Sequence, residues 1–154
     1  TMRELEENLD FINRTGLRNT ISRFAKKLRV TPHTVFFENY QSRNLIVSDL
    51  DINELYYEYT FCDSTIELVY AYVEDLDAHI LKESYHLQAL IRSIISQNEK
   101  DVAYKRLMFL RECVYIFLCK CVECYKKTQT LSRNDILEIY TNCLNEGGVS
   151  DIEY

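Results

Sequence analysis

Apolar residues recur along this chain mostly at helical spacing. Leu17, Ile21, Phe24 and Leu28 step by four, three and four. Ile66, Val69, Val73, Leu76 and Ile80 form a second stripe, and Leu87, Leu90, Ile91, Ile94 and Ile95 a third. The longest runs from Ala103 through Leu107, Leu110, Val114, Phe117 and Cys121 to Cys124. Such spacing lays one apolar face along a helix. Beside that last stripe lies another, Met108, Tyr115, Leu118, Val122 and Tyr125. A helix with two adjacent apolar stripes is buried over most of its circumference, so 99–127 is expected to be the central helix.

Eight helices are predicted on this basis. The first covers about 2–14, with Leu5, Leu9, Phe11 and Ile12 inward, and the second about 16–29. The third opens at VTPHTVFFENY, with Thr31 as cap and Pro32 in the first turn, and turns Val35, Phe36, Phe37 and Tyr40 inward. The fourth is DLDINELYYEYTF, 49–61. The fifth opens on a capping box, Ser64 to Glu67, and the sixth covers about 84–97. The central helix follows, and the eighth runs from Ser132, with Asp135 three residues on, to about 145. Gly147-Gly148 reads as a stop signal, and 149–154 as a short, frayed acidic tail. With 3 Gly and 1 Pro in 154 residues, turn-rich β architectures are disfavoured. The expected fold is all-α: one compact bundle of seven to eight helices over 1–148, in an arrangement compatible with HEAT-like helix pairs.

Charge divides the chain. Asn13 to Pro32 holds six basic residues, Arg14, Arg18, Arg23, Lys26, Lys27 and Arg29, and no acid. Asn44 to Leu81 holds nine acids and no Lys or Arg. The plain reading is two solvated faces; the functional one is two candidate docking surfaces. No 18-residue apolar window exists, and TMRELEENLDF lacks the apolar core of a signal peptide. An intracellular location is therefore expected, nucleus or cytoplasm.

Chemistry finds little purchase. Cys113, Cys119, Cys121 and Cys124 crowd fifteen positions, but Cys121 and Cys124 continue the apolar seam, and no second CxxC completes a zinc site. Glu83-Ser84-Tyr85-His86 has the ExxH spacing of di-iron bundles but occurs once, and reads as a solvated helix start. No phosphate-binding loop or nucleophile elbow is present. No catalysis, metal or cofactor is expected.

The expected function is therefore that of a regulatory or adaptor domain holding a partner's peptide segment in a groove between helices. The favoured surface is Arg18, Arg23, Lys26, Lys27 and Arg29 with Phe36 and Tyr40. The alternative is an acidic, aromatic face of Tyr56, Tyr57, Tyr59, Glu74 and Asp75, suited to a basic segment. A nucleic-acid-binding reading rests on a helix-turn-helix-like basic stretch, 14–43, opposed by the net charge of −6.

Overall fold

A computed structural model describes residues 1–18, 30–94 and 96–146. Among these residues it holds five helices: α1 (Met2–Thr15), α2 (Val35–Ser42), α3 (Ser64–Ser93), α4 (Gln97–Thr128) and α5 (Arg133–Glu146). The all-helical expectation holds, but the count is five rather than seven or eight. The architecture is one long α3–α4 hairpin with α1 and α5 packed along it, in place of a series of equal helix pairs.

α4 is the central helix. Ala103, Leu107, Leu110, Val114, Phe117 and Cys121 are all buried, as their spacing predicts. They meet Ile66, Val69, Val73, Leu76 and Ile80 of α3, Met2, Leu5 and Leu9 of α1, and Ile136, Tyr140 and Cys143 of α5. Phe11 departs from expectation and is 55% exposed, because the inward arc of α1 is filled by Met2, Leu5 and Leu9.

The fifth and sixth predicted helices are one helix. Nothing at Leu81-Lys82-Glu83-Ser84 breaks the chain: there is no Gly or Pro, and the buried stripe continues from Ile80 through Glu83 to Leu87. The charge of Glu83 masks that continuity in the sequence. The start of α3 also differs from the predicted capping box. Asp63 is the cap, accepting from the Thr65 amide at 2.9 Å. Glu67 instead accepts from the Phe61 amide at 2.7 Å, tying the preceding segment to the helix. At α5 the expected start at Ser132 holds: the Ser132 amide donates to Asp135 at 2.8 Å, and the Asp135 amide donates back to Ser132 Oγ at 3.2 Å.

The predicted fourth helix, 49–61, is absent. The segment is extended and turned, with isolated antiparallel bridges Val30–Tyr57, Ile46–Tyr59 and Asp51–Tyr56. Two features decide this. Asp51 uses its carboxylate to accept from the amides of Asn53 and Glu54, offering the backbone a turn instead of a helix. Tyr57, Tyr59 and Phe61 then place rings inward at every second position, the period of a strand. In α2, Thr34 rather than Thr31 is the cap, accepting from the Phe37 amide at 3.2 Å, and Pro32 lies in the preceding turn. That shift rotates Val35 and Phe36 outward, against expectation, to 81% and 57% exposure. The second predicted helix and the 149–154 tail fall outside the described residues. Gly16 caps α1 at φ 72°, a conformation a Cβ disfavours.

Candidate functional site

Two surfaces stand out once the core is removed from consideration. The first is the layer made by α2 and the bridged segment 44–61. Its interior is a run of aromatic rings. Phe37 stacks on Tyr57 at 4.9 Å between centroids, and Tyr40 meets Tyr59 edge-on at 4.7 Å. Tyr59 meets Phe61 at 5.6 Å, and Phe61 meets Tyr70 of α3 at 4.8 Å. Burial raises the Tyr40 and Tyr70 phenol pKa values, as expected for rings turned inward. Of the acidic, aromatic face, Tyr59 is thus buried in the layer, Tyr57 is half-buried with its ring stacked on Phe37, and Tyr56 is half-buried.

What the layer exposes is different: Val35, Phe36, Val47, Ile52 and Leu55. Among them stand the exposed acids Glu38, Asp49, Asp51, Glu54 and Glu58, with Arg43 the one basic residue of 35–58. Leu55 is 59% exposed and held at φ 56°. That region is disfavoured for a branched side chain by roughly 1–2 kcal/mol. The Leu55 amide donates to the Asp51 carbonyl at 2.7 Å, closing the turn.

The remaining predicted residues scatter. Arg18 donates from Nε to Asn13 Oδ1 at 2.8 Å and lies 5.2 Å over the Tyr115 ring. Arg23, Lys26, Lys27 and Arg29 lie outside the described residues. Glu74 is exposed on α3. Asp75 accepts from the Tyr140 hydroxyl, and His79 Nδ1 lies 3.6 Å from its carboxylate. Burial, followed by that hydrogen bond, raises the Tyr140 pKa. Asp75 therefore joins α3 to α5 instead of standing beside Tyr57 and Tyr59. Of the helix-turn-helix segment, α2 is described; it carries Glu38 and no Lys or Arg.

The second surface is a groove of about 630 Å3 at the far end of the hairpin. Leu90 and Ile94 at the end of α3 and Glu99, Val102, Ala103 and Arg106 of α4 line it. Val102 is 67% exposed. Behind it Glu83 is buried on α3, 3.7 Å from Arg106 Nη2. This corrects the reading of Glu83 as a solvated helix start.

The cysteines gather at no such surface. Cys113, Cys121 and Cys143 are buried, Cys119 and Cys124 half-buried, and Cys62 exposed, all as free thiols. The hydrogen bond with Cys143 and burial push the Cys113 thiol pKa up; burial does the same for Cys121 and Cys119. Among the described residues no three His, Cys, Asp or Glu side chains converge to hold a metal ion. A thiol-exchange reagent is expected to modify Cys62 first, Cys119 and Cys124 slowly, and the three buried thiols only on unfolding. A chelator is expected to leave Tm unchanged. Stoichiometric zinc, or fast labelling of Cys121, would sink the packing assignment.

Among the described residues no helix is long and apolar enough to cross a membrane. Comparison of the chain with family models, with curated proteins and with solved structures finds no match.

The sequence reading missed Val47, Ile52, Leu55 and Arg106, and placed Glu83 in solvent. Two signals were available. The alternation of Tyr57, Tyr59 and Phe61 marks an extended segment, whose preceding turn then lifts Ile52 and Leu55 outward. The seven-residue step from Ile80 to Leu87 places Glu83 on the inner face.

Proposed function

We propose that this chain is a non-catalytic docking domain whose layer of α2 and residues 44–58 receives a basic, amphipathic segment of a partner protein. Leu55 carries the reading. A leucine that is mostly solvent-exposed and held in the left-handed region serves neither packing nor backbone comfort at that position. It stands beside Asp51 and Glu54, so an apolar anchor comes with carboxylates around it. Backbone strain of this kind persists where the surrounding structure holds it, here the Asp51 turn, and clusters at functional sites. The five acids of the layer against one Arg give the complementary partner its sign. Phe36, 57% exposed on α2, is a second anchor of the kind that dominates docking energetics.

The test uses a synthetic basic amphipathic helix and an acidic peptide with the same apolar face. The basic peptide is expected to bind more tightly, with affinity falling as salt is raised. Leu55→Gly relieves the left-handed strain, so Tm should hold or rise by a few degrees while affinity falls about tenfold or more. Phe36→Ala should weaken binding similarly without unfolding the chain. Equal binding of the two peptides would overturn the reading. So would a Leu55→Gly variant that loses stability but keeps its affinity, since Leu55 would then be a structural residue.

A further inference from the structure

Two of the free cysteines face each other across the α4–α5 contact. Cys113 of α4 is 1% exposed and Cys143 of α5 is fully buried. The Cys113 thiol donates to the Cys143 sulfur, which raises the pKa of the donor and lowers that of the acceptor. Cys113 Sγ also lies 3.8 Å from the Cys143 carbonyl oxygen, 30 residues on in the chain. Contacts on either side of Cys143 fix α5 against α4. Tyr140 meets Phe117 edge-on at 6.4 Å, and Glu146 pairs with Lys120 at 2.8 Å. A disulfide needs Cβ atoms about 3.5–4.5 Å apart. From two sulfurs already in hydrogen-bond contact, side-chain rotation is the direct route to that separation.

The other cysteines offer no comparable pair. Cys121 and Cys124 are three apart on one helix, where Cβ atoms stand about 5–6 Å apart, beyond the usual disulfide range. Cys119 is two residues from Cys121 and five from Cys124, spacings that do not share a helix face. Cys121 is buried, but it lies about 12 Å along α4 from Cys113. Cys62 is exposed ahead of α3.

We infer that Cys113 and Cys143 are a redox pair that closes to a disulfide, stapling α5 to α4, when the chain folds in the presence of a low-molecular-weight disulfide such as oxidised glutathione. The order of events matters, because the buried thiols of the folded chain do not meet such a reagent. During folding, one cysteine thiolate attacks the glutathione disulfide, forming a mixed disulfide and releasing one glutathione thiolate. The second cysteine thiolate attacks the protein sulfur of that mixed disulfide and releases the other glutathione. One protein S–S bond has formed and the glutathione S–S bond has broken. The two protein sulfurs are oxidised, and their two protons and two electrons end on two glutathione thiols. The chain thus has two forms, one in which α5 can leave α4 and one in which it cannot. Neither cysteine belongs to the α2 layer, so this inference and the docking reading fail separately.

The test is refolding from denaturant with oxidised and reduced glutathione, against refolding in reductant alone. Free thiols are alkylated and the chain is digested and mapped by mass spectrometry. A peptide pair whose fragmentation joins Cys113 to Cys143 is expected from the oxidised sample only. Its Tm should exceed that of the reduced sample by about 5 °C or more. Cys143→Ala, refolded in the same way, should show no cross-link at Cys113 and no oxidant-dependent rise in Tm. If that variant does not fold, the wild-type map and Tm difference still decide. A wild-type chain that refolds to native helix content with Cys113 and Cys143 both alkylated after unfolding overturns the inference. A cross-link from Cys143 to Cys121 overturns it as well. So does a Cys113–Cys143 bond that fails to raise Tm, since the two sulfurs would then lie out of bonding position in the fold.

Discussion

Phe117→Ala is expected to lower stability by about 3–5 kcal/mol, a fall in Tm of roughly 10 °C or more for a chain of this size. Phe117 is fully buried at the junction of α3, α4 and α5. Its ring meets Tyr140 edge-on at 6.4 Å, and Tyr140 in turn contacts Tyr72 at 5.4 Å and bonds Asp75. Truncation therefore opens a cavity that no single neighbour can fill, and it loosens the ring by which α5 is held. Chemical denaturation followed by circular dichroism measures the loss. A change below about 1 kcal/mol would mean that α5 does not pack where it is placed. Phe36→Ala is the matched control: the same side chain, exposed on α2, should change stability by less than about 0.5 kcal/mol.

The contrast between Phe117 and Phe36 is also the contrast between what the sequence reveals and what it conceals. Phe117 sits in an apolar seam sustained over several turns of α4, and only a buried helix produces such a pattern. The length and centrality of α4 were therefore legible, as was the role of Cys121 as one more rung. Phe36 has no such context. In an eight-residue helix, inside and outside are set by where the cap falls, and moving it from Thr31 to Thr34 turns Val35 and Phe36 to solvent. The error at 49–61 has a different origin. Three aromatics at alternate positions also fit part of a helical pattern, while the Asp51 turn that replaces the helix depends on a side chain folding back on its own backbone. Glu83 was hidden by chemistry rather than by period: its position fits the inner face, but a carboxylate there contradicts the usual rule that charges stay out. The exposed surface of the α2 layer and the groove were thus illegible for a common reason. Both are made where residues break the pattern of their element, and such breaks become interpretable only once the neighbours are known.

Glu83 gives the second large effect, and its sign is unusual. The carboxylate is 6% exposed between Ile80 and Leu87, and among the described residues its Oε2 makes no hydrogen bond. The nearest cationic nitrogen, Arg106 Nη2, is 3.7 Å away, beyond hydrogen-bond reach. Attraction at that distance does not replace the lost hydration of a buried carboxylate. Glu83→Leu, which continues the stripe with an apolar side chain of similar size, is expected to stabilise the chain by about 1–2 kcal/mol. Arg106→Leu should act in the opposite direction, costing about 2–3 kcal/mol, because it leaves the Glu83 charge buried without its counterion. That cost is below the range for a fully enclosed pair, since the Arg106 side chain is 34% exposed and water shares in the screening. The double variant should fall near the wild type or above it, and the cycle isolates the coupling. A Glu83→Leu variant less stable than wild type by more than about 1 kcal/mol would make the pair a net stabiliser and defeat this argument.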